Sequence, residues 1–321
     1  MTFPAMLRRI VAACSFEWDI DRAAKALSIF RIGLGTIVLY QAVMTAWDLP
    51  LLVGKFGLMQ RPINEAIAAP SLPSIAWFHR IWEMGLLTEL QVIYILMGLY
   101  LVCLCYLIAG WHTRIFAAGA LFFHLLFKAS GAASIYGAHE LSTNGLFFCI
   151  LLPVSSYYVL GRHRQAVDAF AVRLGRFVLR AYLSIVYVSS GIEKLSGPPW
   201  RHGEAMWNFL MRPEVTVMNF GWLSHVPWLV FVMGWFTLMT EIGYVLCLFS
   251  TRARIAWFFA TTLLHLGIAV TFHLWFFSFT MIALNVGAVG GFRWRRPKGE
   301  KSGEEVLARN VEQLATRGSE G

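Results

Sequence analysis

Apolar residues run along this chain in stretches much longer than a soluble helix or strand requires, and polar residues collect between the stretches. A helix that crosses a bilayer needs about 20 mostly apolar residues, with a range of roughly 17–25. Such stretches cover about 28–47, 91–110, 115–134, 143–160, 177–195, 227–249, 255–273 and 275–290. The pattern predicts an all-α polytopic membrane bundle of about eight transmembrane helices. The first stretch ends at Trp47-Asp48-Leu49-Pro50, the turn Trp111-His112-Thr113-Arg114 parts the second from the third, and the fourth contains Pro153. The last two nearly touch, which predicts a tight hairpin or one irregular helix. Residues 16–27 read as a short N-terminal amphipathic helix lying on the membrane surface. The expected organisation is a cytoplasmic or interfacial segment over 1–27, a transmembrane domain over 28–292 and a polar tail over 293–321, with one helix around 304–315.

Composition sharpens this. Of 321 residues, 58% are hydrophobic and only 14% charged, against about 45–50% and about 25% in soluble domains. An aromatic content of 15% excludes a disordered chain. The formal charge of +9 invites a nucleic-acid reading, but the basic residues sit between the apolar runs. With the N-terminus inside, the cytoplasmic segments hold Arg8, Arg9, Arg22, Lys25, Arg114, Arg162, Arg164, Arg173, Arg176, Arg252, Arg254, Arg293, Arg295, Arg296 and Lys298. The opposite side holds Lys55, Arg61, Arg80, Arg201 and Arg212, spread over two long loops at 48–90 and 196–226. This asymmetry places both termini in the cytoplasm and makes the net charge a topology signal. The expected partner is the lipid bilayer, not nucleic acid. Cys14, Cys103, Cys105, Cys149 and Cys247 form no CxxC pair, so neither a disulfide framework nor a zinc ribbon is expected. Residues 10–14 are too short an apolar core for a cleavable signal peptide.

Charges inside a bilayer are costly and mark candidate sites. Within YVSSGIEKL, Tyr187, Ser190, Gly191 and Lys194 share one helical face, and Glu193 projects about 100° away. Lys194 at the outer end of its span can also simply snorkel to the surface. A hairpin centred near Arg252 brings Glu241 level with residue 263 or 264, so Glu241 and His265 are expected to pair. Such a pair serves either as interhelical polar glue or as an acid–base couple. His139 and Glu140, in the loop IYGAHELSTNG ahead of the fourth span, fall on the side of Lys194 and His273. A lysine, a glutamate and two histidines are thus expected to converge near the outer face. Catalytic candidates are Lys194, His139, Glu140, Glu241 and His265; candidates for holding a ligand are Tyr187, Ser190, Gly191, Trp200 and His273. With no HExxH or HxxxH pair, no metal is expected, and no Walker or GxGxxG loop points to a nucleotide.

The order of segments resembles the HTTM domain family, the membrane domain related to the vitamin K-dependent gamma-carboxylase. KALSIFRIGLGTIVLYQAV resembles its first helix and KFGLMQRP its following loop, with Lys55 where an aspartate is common. AGWHTR and FFCILLPVSSYYVLGRHRQAVD are also similar. The closest stretch is VYVSSGIEKLSGPPWRHGEAM, through Tyr187, Gly191, Lys194, Leu195, Trp200 and Gly203. TEIGYVL, LLHLGIAV and FFSFTMIALNVG complete a resemblance spanning residues 20–292. It implies a multi-pass protein of a bacterial plasma membrane, a vitamin K-like quinone or hydroquinone as cofactor, and Lys194 as the base that deprotonates it. It does not extend to the carboxylase's large C-terminal lumenal domain, so protein glutamate carboxylation is not implied.

Two functions are compatible with these residues. One is a quinol-linked membrane enzyme, its aromatic interior suited to an isoprenoid ring. The other is a non-enzymatic membrane component for maturation or export of a small secreted peptide or toxin, with the outer loops as contact surfaces; some short relatives of the family resemble such a component. A transporter fits less well, since the halves show no inverted repeat.

Overall fold

A computed structural model describes residues 19–54, 57–58, 60–68, 71–132, 135–161, 166–214, 216 and 218–291. Among them there are helices and no strands. Each expected apolar stretch is represented by one main helix: α1 (Ile20–Trp47), α2 (Glu89–Ala109), α3 (Thr113–Ser130), α4 (Gly137–Leu151), α5 (Ala169–Ser196), α6 (Pro227–Gly243), α7 (Thr251–Phe272) and α8 (Trp275–Val289). Four helical stretches are long and apolar enough to cross a bilayer: Ile20–Trp47, Glu89–Ala109, Pro227–Leu248 and Thr251–Phe272. These mark a membrane protein. The expected tail helix and residues 16–18 lie outside the described residues.

The helix boundaries follow from local chemistry. Asp19 caps α1 by accepting from the Arg22 N–H at 3.1 Å. No glycine or proline then interrupts residues 20–27, so they do not form a separate surface helix. They continue into the first apolar run as one helix of 28 residues, with Ala23, Ala24, Ala26 and Leu27 buried. Thr88 and Gln91 close a capping box at the start of α2, and Gly110, in the left-handed region at φ 81°, ends it. The expected fourth span is displaced. α4 starts six residues earlier, at Gly137, and stops at Leu151 because Pro153 cannot continue the ladder. His139 and Glu140 are therefore first-turn helical residues, not loop residues. The closeness of the last two runs does produce a tight hairpin, in which His273 at φ 53° and Leu274 are the whole link between α7 and α8.

α8 occupies the centre, packed against α1, α4, α5 and α7. Ser278, Met281, Leu284, Asn285 and Ala288 are among its buried residues. A main core built on Leu27, Phe30, Leu34, Leu104, Leu179, Leu183 and Leu284 runs through these helices. A satellite core of Leu210, Leu223 and Val230 joins the N-terminal half of α6 to the short helices Glu204–Leu210 and Gly221–His225. At the end of the bundle that holds the α8 C-terminus, Arg176 donates to the carbonyls of Ala288 and Gly290, and Arg180 to that of Ala288. Both guanidiniums thus cap carbonyls that a helix end leaves without intrahelical partners.

Candidate functional site

The expected polar residues separate into three connected groups instead of one. The first is built on Lys194, in the last turn of α5. Its ammonium donates to both carboxylate oxygens of Glu241 at 2.8 Å and to Ser190 Oγ. The side chains are 25% and 10% exposed, so the pair is largely withdrawn from solvent. Gly191 makes this approach possible. A β-carbon there would lie 2.7 Å from Ile242 Cγ1 and 3.1 Å from Glu241 Cβ, so only glycine lets α5 press this close to α6. The face of Gly191 is thus filled by α6 and offers no slot for a flat ring. The stiff segment after α5 turns Trp200 back, its ring 5.6 Å from the Lys194 ammonium, a cation–π contact that also covers the pair. Glu193 is exposed and takes no part in it.

The second group lies among α5, α7 and α8. Asn285 Nδ2 donates to Tyr187 Oη at 2.8 Å, and Tyr244 Oη donates to Asn285 Oδ1 at 2.8 Å. Tyr187 Oη and His265 Nε2 are 2.8 Å apart. With the Tyr187 hydroxyl donating to Nε2, the imidazole proton sits on Nδ1; with its oxygen accepting a second bond besides that from Asn285, the proton sits on Nε2. That Nδ1 is buried and without a hydrogen-bond partner. The expected pairing of Glu241 with His265 is therefore replaced: Glu241 takes Lys194, and His265 takes Tyr187. Levelling residues along a hairpin sets depth but not the direction in which each side chain leaves its helix.

The third group holds His139 and Glu140. His139 Nε2 lies 3.2 Å from the Gln41 side-chain amide, and the His139 carbonyl accepts from Thr143 Oγ1 at 2.8 Å. His124 Nε2 is 3.1 Å from the same carbonyl, and its Nδ1 is 2.8 Å from Tyr100 Oη. Glu140 pairs with Lys128 at 2.7 Å. Gln41, Tyr100, His124, Lys128 and His139 border a cavity of about 50 Å³ between α1, α2, α3 and α4. His273 joins none of the three groups: it is exposed in the α7–α8 link with its ring against Trp275.

Gln41, Tyr100, His124, Lys128, Tyr244 and Asn285 were not singled out from the sequence. Gln41, Lys128 and Asn285 are strongly polar residues inside apolar runs, a signal that was present. The tyrosines gave none, because an aromatic in such a run reads as core. Among the described residues, no group of three or more His, Cys, Asp or Glu is placed to hold a metal ion. The chain matches no protein-family model, no curated protein and no solved structure.

Proposed function

We propose that the chain is an eight-span protein of a bacterial plasma membrane, of the HTTM type with both termini cytoplasmic, and that Lys194 and Glu241 form an acid–base site for an isoprenoid hydroquinone. The observation that supports this reading is a lysine and a glutamate paired inside apolar helices, where charge is expensive and is kept for use. The base lysine of the resembling family falls on Lys194. With Glu241 accepting through both oxygens, the proton acceptor is the pair rather than the amine alone.

A hydroquinone would supply acidic hydroxyls and two reducing electrons. The unpartnered Nδ1 of His265 suits such a group, since a hydroxyl can donate to or accept from the ring nitrogen that the protein leaves unmet. The filled face of Gly191 directs any ring elsewhere. Glu241 would take the proton at a carboxylate oxygen. Lys194 would hold the negative charge left behind, and Trp200 would limit water at the pair. The test is mass spectrometry of the lipid extract from purified protein. A co-purifying isoprenoid quinone, depleted in His265→Phe, is expected; an extract without quinone overturns the reading.

One observation favours a second reading. The Lys194 ammonium already has three internal acceptors, which is how a purely structural pair looks. The protein would then be a non-enzymatic component in maturation or export of a small secreted peptide. The segment 196–226, with its own apolar core and exposed Phe209, Met218 and Trp222, would be its contact surface.

A further inference from the structure

We infer that the cavity between α1, α2, α3 and α4 is a binding site for the carboxylate of a small apolar acid, held by Lys128 and Gln41. This site is separate from the Lys194–Glu241 pair and does not depend on the reading proposed for it.

The polar lining decides the ligand's sign. His124 Nε2 faces a carbonyl, which only accepts, so the proton is on Nε2 and Nδ1 accepts from the Tyr100 hydroxyl. Both His124 nitrogens are thereby spent. His139 Nδ1 accepts from the Tyr136 backbone N–H at 3.4 Å, so its proton is on Nε2. The Gln41 nitrogen stands 3.2 Å from that Nε2, which sets donor against donor. Turning the amide over resolves the conflict, because oxygen and nitrogen are assigned from the bonds they make. The carbonyl then accepts from His139. The end of the amide that has no partner becomes an NH₂ group. Gln41 is 7% exposed and borders the cavity, so this unmet donor is enclosed with it.

Lys128 borders the same cavity and adds the charge. Its side chain is 10% exposed, whereas that of its partner Glu140 is 59% exposed. The ammonium is the fixed half of the ion pair, and the carboxylate is the half that can leave for water. An incoming carboxylate can therefore replace Glu140 on Lys128 without stranding either charge, and its second oxygen meets the Gln41 amide. The rest of the wall is mostly apolar, with Val38, Leu49, Met97, Phe127 and Ile135 in it, and its Thr45 hydroxyl donates to the Gln41 backbone carbonyl. That lining suits a short hydrocarbon body and not a second polar group, the usual division of labour in small-molecule sites.

The test uses the full chain in lipid nanodiscs, titrated calorimetrically with acetate, the size of which suits a cavity of about 50 Å³, and with acetamide, its neutral counterpart. Acetate is expected to bind, with acetamide weaker by about tenfold, the factor that one charged hydrogen bond confers. Gln41→Leu and Lys128→Met should each weaken acetate by a similar factor, and Lys128→Arg should keep most of it. Glu140→Gln, on the exposed half of the pair, should tighten acetate by removing its competitor. That variant also keeps the test valid if Lys128→Met fails to fold. Equal affinity for acetate and acetamide, no heat with either, or weaker acetate binding in Glu140→Gln overturns the inference.

Discussion

Gly191 lies against Ile242 with no space for a β-carbon between them, since one built there would come within 2.7 Å of Ile242 Cγ1. This contact sets the spacing of α5 and α6, and through it the reach of Lys194 to Glu241. Gly191→Ala is expected to cost about 1–3 kcal/mol, the usual penalty of overpacking. Thermal unfolding in detergent measures this. An alanine variant as stable as the parent would show that the two helices are not held at this distance.

The ion pair itself gives a second expectation. Removing one member leaves the other charge largely buried and unpaired, at a cost of roughly 3–5 kcal/mol. Lys194→Met and Glu241→Met should each be strongly destabilising, and the double variant should recover most of the loss. A double-mutant cycle on unfolding free energies reads this directly. Additive losses would mean that the two side chains do not interact.

Arg176 should not be replaceable by lysine. Its guanidinium reaches the carbonyls of Ala288 and Gly290 together, at 3.1 and 2.7 Å, which a single ammonium cannot reproduce with the same planar fork. Loss of one charged hydrogen bond costs about 1.5–3 kcal/mol. In Arg176→Lys, amide hydrogen exchange should accelerate around 286–291 and change little in α2 and α3. Unchanged exchange there would refute the capping role.

Topology is open to labelling. In a cysteine-free background, single cysteines at exposed positions in 204–212 should react with a membrane-impermeant maleimide from outside intact cells. Cysteines at 166–170 should react only after the membrane is opened. The reverse pattern would invert the proposed orientation.

The helices were legible because a bilayer imposes a crude rule of length and apolarity, which Ile20–Trp47, Glu89–Ala109, Pro227–Leu248 and Thr251–Phe272 follow in full. Their ends were less so. The start of α4 was read six residues late because His139, Glu140 and Ser142 interrupt the apolar pattern over 137–142, although all three sit within the helix. The surface helix expected over 16–27 was drawn from charge alone, while the backbone between Asp19 and Trp47 contains nothing that stops a helix. Of the polar contacts, the structure places Lys194 beside Trp200, both singled out from the sequence. The pairing of Lys194 with Glu241 was not read there, because pairing depends on rotation about each helix axis, which depth along a hairpin does not constrain. Arg31 and Arg180 passed unremarked inside apolar runs for a related reason. Both are fully buried, and the bonds that hold them go to backbone carbonyls of Tyr158 and Ala288, which no side-chain pattern announces.

The central place of α8 has a consequence for how the molecule is made. Synthesis delivers residues 275–289 after every helix that surrounds them, so α1, α4 and α5 are made before the post they pack around exists. Until α8 is made, Tyr187 and Tyr244 lack the Asn285 side chain that bonds both hydroxyls. The 15 residues of α8 make a rod of roughly 22 Å, shorter than a bilayer's hydrocarbon core of about 30 Å. Such a rod is poorly suited to wait alone in lipid, and its two-residue link to α7 leaves it little distance to wander. Docking of α8 from its two-residue link to α7 is therefore a late step among the described helices, coming after α1, α4 and α5 are made. A chain stopped before residue 275 would leave the faces of those helices that α8 covers without their partner.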